Sequence, residues 1–141
     1  MEIQGVLMGQ PNGRDGHRSI VMVVDDSPSI RDMVSWALEL EGYEPVEATE
    51  GQEALAWIIH AAREGRYPSV ILLDLAMPGM DGRTFLKHLR DQWQRGLPLP
   101  AIVVITAGTE QYDETDWEVQ EVVVKPFRVR QLLDVVHQLT D

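Results

Sequence analysis

Four short apolar runs in this chain each end in residues that could do chemistry: Asp25-Asp26, Asp74, Thr106 and Lys125. Carboxylates crowded together repel one another, so a cluster of Asp25, Asp26 and Asp74 would need positive charge nearby. Mg²⁺ suits such a cluster because it prefers hard oxygen ligands and accepts water and phosphate beside them. Lys125 would add an ammonium group on a long stem, and Thr106 a hydroxyl donor. A carboxylate nucleophile, a metal, a lysine and a hydroxyl together favour phosphoryl transfer onto a carboxylate.

Strands and helices alternate along the part of the chain that must position these residues. Short apolar runs predict strands over residues 20–24, 43–48, 70–73, 101–105 and 122–124. Ser27 as N-cap and Pro28 at the first helical position predict the start of a helix that Gly42 stops. Apolar residues at helical spacing predict further helices over residues 51–64, 83–95 and 129–139. A short fourth helix is predicted within residues 108–120, where apolar residues are few.

Continuous apolar strands separated by amphipathic helices predict an α/β fold with a parallel sheet that is covered on both faces. Five such units in a chain of 141 residues indicate a flavodoxin-like, doubly wound sheet with strand order 2-1-3-4-5. Ligands of such sheets bind beyond the carboxyl ends of the strands, where the strand order reverses. The four reactive strand ends are therefore expected to converge on one pocket.

Composition narrows the possible functions further. The net charge of −11 disfavours direct binding of nucleic acid, because an acidic surface repels phosphates. The absence of cysteine excludes disulfides, cysteine-ligated zinc and thiol catalysis. The apolar runs are too short to cross a bilayer and no secretory signal is recognisable, so we expect a soluble cytoplasmic protein. Turn-forming residues predict a flexible tail over residues 1–18, which leaves one domain over 19–141.

The chain resembles the response regulator receiver family of two-component signalling. The matching motifs are Asp25-Asp26 after the first strand and the run from Asp74 to Gly82, with Thr106-Ala107 and Lys125-Pro126-Phe127 after the last two strands. Each motif stands at the strand end and in the order that the family shows. The resemblance extends from about Ser19 to the C-terminus.

This resemblance implies roles for the site residues. Asp26, Asp74 and the backbone carbonyl of Ala76 would ligate Mg²⁺ directly, and Asp25 would act through metal-bound water. Asp74 would accept the phosphoryl group, while Thr106 and Lys125 would bind it. The resemblance also implies a cis peptide bond between Lys125 and Pro126.

The resemblance implies partners as well. The donor would be the phosphohistidine of a sensor histidine kinase or a phosphotransfer protein. The chain would be a signal receiver rather than an enzyme, although it would assist its own phosphorylation and dephosphorylation. It would then signal by changed binding to a downstream protein or by onward phosphotransfer, as a monomer or weak dimer, without contacting membrane or nucleic acid.

Two features depart from the family pattern. The position three residues before the lysine is usually Tyr or Phe and here is Val122, and the segment between Thr106 and Lys125 is short. Without the aromatic rotamer switch, Tyr112 or Trp117 would have to report phosphorylation.

Three other functions compete with this interpretation. A phosphatase of the haloacid dehalogenase class would need an acid where Ala76 stands, and a nucleotide or flavin binder would need a glycine-rich or hydroxyl-rich loop after the first strand. The third is a degenerate receiver that binds proteins without being phosphorylated. Val122, in place of the usual aromatic residue, is compatible with this alternative. The four histidines share no spacing and are interpreted as structural.

Overall fold

The computed structural model describes residues 18–75, 82–93, 99–107 and 119–140, and every structural statement here concerns those residues. The strands are β1 (Ile20–Val24), β2 (Glu44–Ala48), β3 (Pro68–Asp74), β4 (Ala101–Thr106) and β5 (Glu121–Val124). The described helices are α1 (Pro28–Leu40), α2 (Gly51–Ala62), α3 (Gly82–Gln92) and α4 (Val129–Thr140). All strand pairs are parallel, in the order β2-β1-β3-β4-β5. The predicted flavodoxin-like, doubly wound α/β fold is thereby confirmed.

Element boundaries differ from the sequence prediction by a few residues. Tyr43 precedes β2 instead of opening it, because its amide donates to the carbonyl of Leu38 at 3.0 Å and so closes the turn after α1. Gly42 in that turn has φ of 92°, a left-handed conformation that favours glycine as a helix stop. Pro68 opens β3 two residues earlier than predicted. The predicted tail, apart from Arg18, and the predicted helix within residues 108–120 lie outside the described residues.

The start of α1 follows the predicted capping pattern. The hydroxyl of Ser27 accepts a hydrogen bond from the amide of Ile30 at 3.4 Å, and Pro28 occupies the first helical position. Proline is favoured there because its missing N–H would have no helical partner. The helix therefore begins two residues after Asp26, and the loop that carries both carboxylates is short.

Two apolar clusters lie on opposite faces of the sheet. Successive side chains of a strand alternate between faces, so Met22 and Val23 of β1 belong to different clusters. One cluster packs under α2 and α3 and includes Phe85, whose side chain is completely buried. The other packs under α1 and α4 and includes Leu132. Among the described helices, none is long and apolar enough to span a membrane.

A polar network ties the end of α4 to the turn between α1 and β2. The hydroxyl of Tyr43 is 2.8 Å from Nδ1 of His137 and 2.9 Å from the hydroxyl of Thr140. Nε2 of the same imidazole lies 2.7 Å from Glu41 Oε1, and Arg130 also contacts this carboxylate. These contacts agree with the structural role predicted for His137. They lie near the N-terminal ends of the strands, opposite to the reactive strand ends.

Glu41 makes this network sensitive to acid. The hydrogen bond from His137, followed by that from Arg130, lowers the pKa of Glu41 below its ordinary value. A carboxyl with a lowered folded pKa stabilises the fold above its unfolded pKa and loses that contribution as the pH falls through the folded pKa. We therefore expect Glu41→Gln to melt below wild type at neutral pH, with the difference shrinking below about pH 4. Thermal melts across this range, with exposed Glu39→Gln as the control, measure it. A difference that grows on acidification would contradict the expectation.

Candidate acidic metal centre

Three carboxylates meet at the carboxyl edge of the sheet. Asp25 and Asp26 directly follow β1, and Asp74 ends β3, which is the neighbour of β1 in the sheet. One carboxylate oxygen from each residue lies within 4.8 Å of the others. Asp25 and Asp74 are only 2% and 3% exposed, whereas Asp26 is open to solvent. The structure therefore brings together the three acidic side chains that the sequence singled out.

Lys125 supplies the nearest positive charge described at this cluster. Its Nζ is 3.5 Å from Oδ2 of Asp74 and 3.8 Å from Oδ2 of Asp25. The backbone amide of Lys125 donates to the carbonyl of Thr106 at 2.7 Å, which anchors the residue beside β4. The peptide bond between Lys125 and Pro126 is cis, as predicted. One ammonium group thus contacts two of the three carboxylates and leaves the cluster with net negative charge.

The two carboxylate oxygens of Asp25 differ in their hydrogen bonds. Its Oδ1 accepts a hydrogen bond from the amide of Ser27 at 2.8 Å. Its Oδ2 is buried and receives no hydrogen bond from the described residues, with the ammonium group of Lys125 as its nearest described charge. Buried acceptors without a donor are rare because they lose their hydration. An oxygen in this state beside two more carboxylates fits a hydrated divalent cation such as Mg²⁺.

Thr106 lies at the same rim, at the end of the strand next to β3. Its side chain is buried at 4% exposure, and it pairs in register with Val124. The amide of Leu75 donates to the carbonyl of Ile105 at 3.3 Å, so the pairing of β3 with β4 continues past Asp74. This continued pairing holds the end of β4 level with the acidic cluster. The predicted carbonyl ligand, Ala76, lies outside the described residues.

Val122 lies in β5, two strands away from Asp74, with β4 between them. It is half-buried, pairs in register with Val104 and packs against the cluster under α2 and α3. Its short apolar side chain has no polar group that could couple to Thr106. The proposed substitutes for the aromatic switch, Tyr112 and Trp117, lie outside the described residues.

Arg31 is a residue beside the site that the sequence analysis missed. Its terminal nitrogen Nη1 donates to the backbone carbonyl of Asp25 at 2.7 Å, and its Nε is 3.4 Å from Oε1 of Glu47. The sequence did carry a signal, because a positive charge close to the N-terminus of a helix opposes the helix dipole. A cation placed there is expected to contact an acceptor outside its own helix, but the sequence does not identify that acceptor.

A doubly wound parallel sheet with an acidic cluster and a lysine at its carboxyl edge matches one class of protein. Residues 21–137 match the family model described as the response regulator receiver domain. The chain therefore belongs to the response regulator receiver family. Receiver domains are signal-transduction modules of two-component systems and not conventional enzymes.

Solved structures support this assignment. Chemotaxis protein CheY4 of Vibrio cholerae is 35% identical, with a TM-score of 0.72, and the match covers 87% of this chain and 99% of that one. Response regulator protein TrrA of Thermotoga maritima, solved in complex with Mg²⁺ and BeF, is 32% identical with a TM-score of 0.67. That match covers 86% of this chain and 98% of TrrA. The acidic cluster of the present chain is consistent with the Mg²⁺ that this family binds.

The curated relatives are longer proteins. The phosphate regulon transcriptional regulatory protein PhoB of Escherichia coli is 33% identical over 117 residues, which are 80% of this chain and 48% of PhoB. The chain thus spans about half the length of the curated relatives it matches. DNA-binding response regulator MtrA of Mycolicibacterium smegmatis is another relative. The predicted lack of direct contact with nucleic acid therefore stays a prediction.

Mg²⁺ is expected to stabilise the fold through this centre. A cation that binds only the folded state adds about 2.7 kcal/mol at roughly 100 times its dissociation constant. We expect Mg²⁺ to raise the melting temperature of wild type, and to raise it by less than half as much in Asp26→Asn. Asp134→Asn is the matched control, because Asp134 is 63% exposed on α4 and pairs there with Arg130. Equal shifts in wild type and Asp26→Asn would contradict a metal site at this cluster.

Proposed function

We propose that this chain is the phosphoacceptor of a two-component phosphorelay and takes a phosphoryl group onto Asp74 from a phosphohistidine donor. One observation supports this most directly. The carboxylate of Asp74 lies both within the cluster of three acidic side chains and 3.5 Å from the ammonium group of Lys125. A nucleophile that lies between a cation-binding cluster and a fixed positive charge is what phosphoryl transfer requires.

In the proposed transfer, one bond to phosphorus forms and one breaks. A carboxylate oxygen of Asp74 forms a bond to phosphorus as the bond between phosphorus and the donor imidazole breaks, and the imidazole nitrogen leaves with the bonding pair. Bound Mg²⁺ would neutralise charge on the transferred group, held by Asp26, Asp74 and the carbonyl of Ala76, with Asp25 acting through water. The ammonium group of Lys125 turns from the Asp74 carboxylate toward a phosphoryl oxygen, and the Thr106 hydroxyl donates to another.

The consequence of phosphorylation would be a change in partner binding or onward phosphotransfer. Phosphorylation adds charge and hydrogen-bond acceptors at the edge where β3, β4 and β5 end, so Thr106 and Lys125 are the first residues to respond. Val122 does not take part in an aromatic rotamer switch. The partners would be a sensor histidine kinase or phosphotransfer protein on one side and a downstream protein target on the other.

Incubation with a small phosphoramidate donor tests the proposal. Intact-mass measurement should show one added phosphoryl group in the presence of Mg²⁺, released by acid treatment or mild alkali as an acyl phosphate is. Chelation of Mg²⁺ with EDTA before the donor is added should prevent the incorporation. No incorporation with Mg²⁺ present would contradict the proposal and favour a receiver that binds partners without being phosphorylated.

A further inference from the structure

The loop between β1 and α1 has to hold two carboxylates in a set direction without help from a regular element. Asp25 and Asp26 lie between the last residue of β1 and the cap of α1. Asp26 is exposed, so packing does not restrict its side chain. The direction in which Asp26 points therefore depends on the orientation of the peptide groups beside it.

Hydrogen bonds fix this loop at three atoms of Asp25. The backbone amide donates to the carbonyl of Ala48 at 3.1 Å, and the side-chain Oδ1 accepts from the amide of Ser27 at 2.8 Å. The backbone carbonyl accepts from Nη1 of Arg31 at 2.7 Å. Only the last of these bonds acts on the peptide group that joins Asp25 to Asp26.

We infer that Arg31 is a positioning residue for the metal centre and acts by orienting the peptide bond between Asp25 and Asp26. A peptide group is planar, so the direction of the Asp25 carbonyl also sets the direction of the bond from nitrogen to Cα of Asp26. The Asp26 carboxylate is then presented to the cluster before any cation binds. This inference rests on the proposed function, because it assumes that the acidic cluster holds Mg²⁺.

The surroundings of Arg31 show why its guanidinium group is well suited to this task. Its side chain is only 14% exposed, and Nε contacts Glu47 of β2 at 3.4 Å. The planar guanidinium group cannot turn Nη1 away from the Asp25 carbonyl while Nε keeps this contact. Hydrogen bonds from Thr49 lower the pKa of Glu53 at the start of α2, and the positive charge of Arg31 adds a smaller effect in the same direction. Arg31 thus links the loop to β2 and is held in one conformation.

The charge of Arg31 and its hydrogen bond to the Asp25 carbonyl are expected to have opposite effects on Mg²⁺ affinity. Arg31 is a cation close to a cation site, so by Coulomb's law its removal would tighten Mg²⁺ binding. If its main effect is to orient Asp26, its removal would weaken Mg²⁺ binding despite the gain in negative potential. Residues that orient metal ligands typically change metal affinity by about 10-fold to 100-fold. The sign of the change in affinity therefore separates the two effects.

Calorimetric titration with MgCl₂ of the full chain tests the inference. We expect Arg31→Met to raise the dissociation constant of Mg²⁺ about tenfold. Arg31→Lys should also raise it, because lysine keeps the charge but cannot contact Glu47 and the Asp25 carbonyl through one planar group. Arg18→Met is the matched control, since Arg18 also donates to a backbone carbonyl, that of Tyr43, at 3.2 Å. Arg18 lies before β1 and Asp25 after it, roughly 20 Å away, so the control should bind within about twofold of wild type.

Two outcomes would overturn the inference while leaving the proposed function intact. One is wild-type or tighter Mg²⁺ binding by Arg31→Met, and the other is wild-type affinity in Arg31→Lys, which would show that the planar guanidinium group is not needed to orient the peptide bond. If wild type itself binds no Mg²⁺, the metal site of the proposed function fails together with the inference. Urea unfolding shows whether each variant is folded, and the lysine variant provides the test if the methionine variant is not. Amide hydrogen exchange without Mg²⁺ should also be faster at Asp26 and Ser27 in Arg31→Met than in Arg18→Met.

Discussion

Asp74→Asn is expected to abolish the incorporation of acid-labile phosphate while leaving the protein folded. An amide oxygen is a far weaker nucleophile than a carboxylate, so the variant offers no acceptor at the end of β3. The fold should survive because asparagine has nearly the same shape as aspartate and removes one of three mutually repelling charges. Lys125 keeps a carboxylate partner in Asp25, at 3.8 Å. Intact-mass measurement after treatment with phosphoramidate and Mg²⁺ checks the result.

The control for this variant is a substitution of the same type away from the site. Asp91→Asn on the exposed side of α3 should incorporate one phosphoryl group as wild type does. Circular dichroism of both variants shows whether the loss in Asp74→Asn arises from chemistry or from unfolding. Undiminished incorporation into a folded Asp74→Asn variant would place the acceptor on another residue and refute the assignment.

The largest expected effect on stability is that of Phe85→Ala, a loss of about 3–5 kcal/mol in the free energy of unfolding. Phe85 is completely buried, and it belongs to the cluster through which α3 packs on the sheet. Its removal loses the transfer free energy of the ring and leaves a cavity that neighbouring side chains fill only in part. Because domains of this size are stable by about 5–15 kcal/mol, the loss would be a large part of the total.

Urea denaturation followed by circular dichroism measures this loss. Lys87→Ala on the exposed side of the same helix should change the free energy of unfolding by less than about 0.5 kcal/mol. Phe85→Leu, which keeps most of the apolar volume, should fall between the two. If Phe85→Ala unfolded at the wild-type urea concentration, the packing of α3 described above would be wrong.

Local sequence patterns were sufficient to predict most of the architecture. The order of strands and helices follows from apolar runs separated by glycine, proline and capping residues, all of which act over a few neighbours. Ser27 and Pro28 were expected to begin α1, and the structure confirms both. The strand ends could be recognised as one site because parallel strands place their carboxyl ends at the same edge. This rule needed only the order of the elements.

The sequence by itself thus determined which of the described elements form, in what order, and which acidic and basic side chains end the strands. The tertiary structure alone decided the contacts between residues far apart in the chain. Lys125 contacts both Asp25 and Asp74, Arg31 contacts Glu47 of β2, and Tyr43 contacts His137 across 94 positions. Such contacts depend on the register of strands and on the direction of each side chain. The spacing of apolar residues along the sequence gives no information about either. Local patterns report which face of an element is apolar, whereas the partners of a polar group are set only when distant segments pack together.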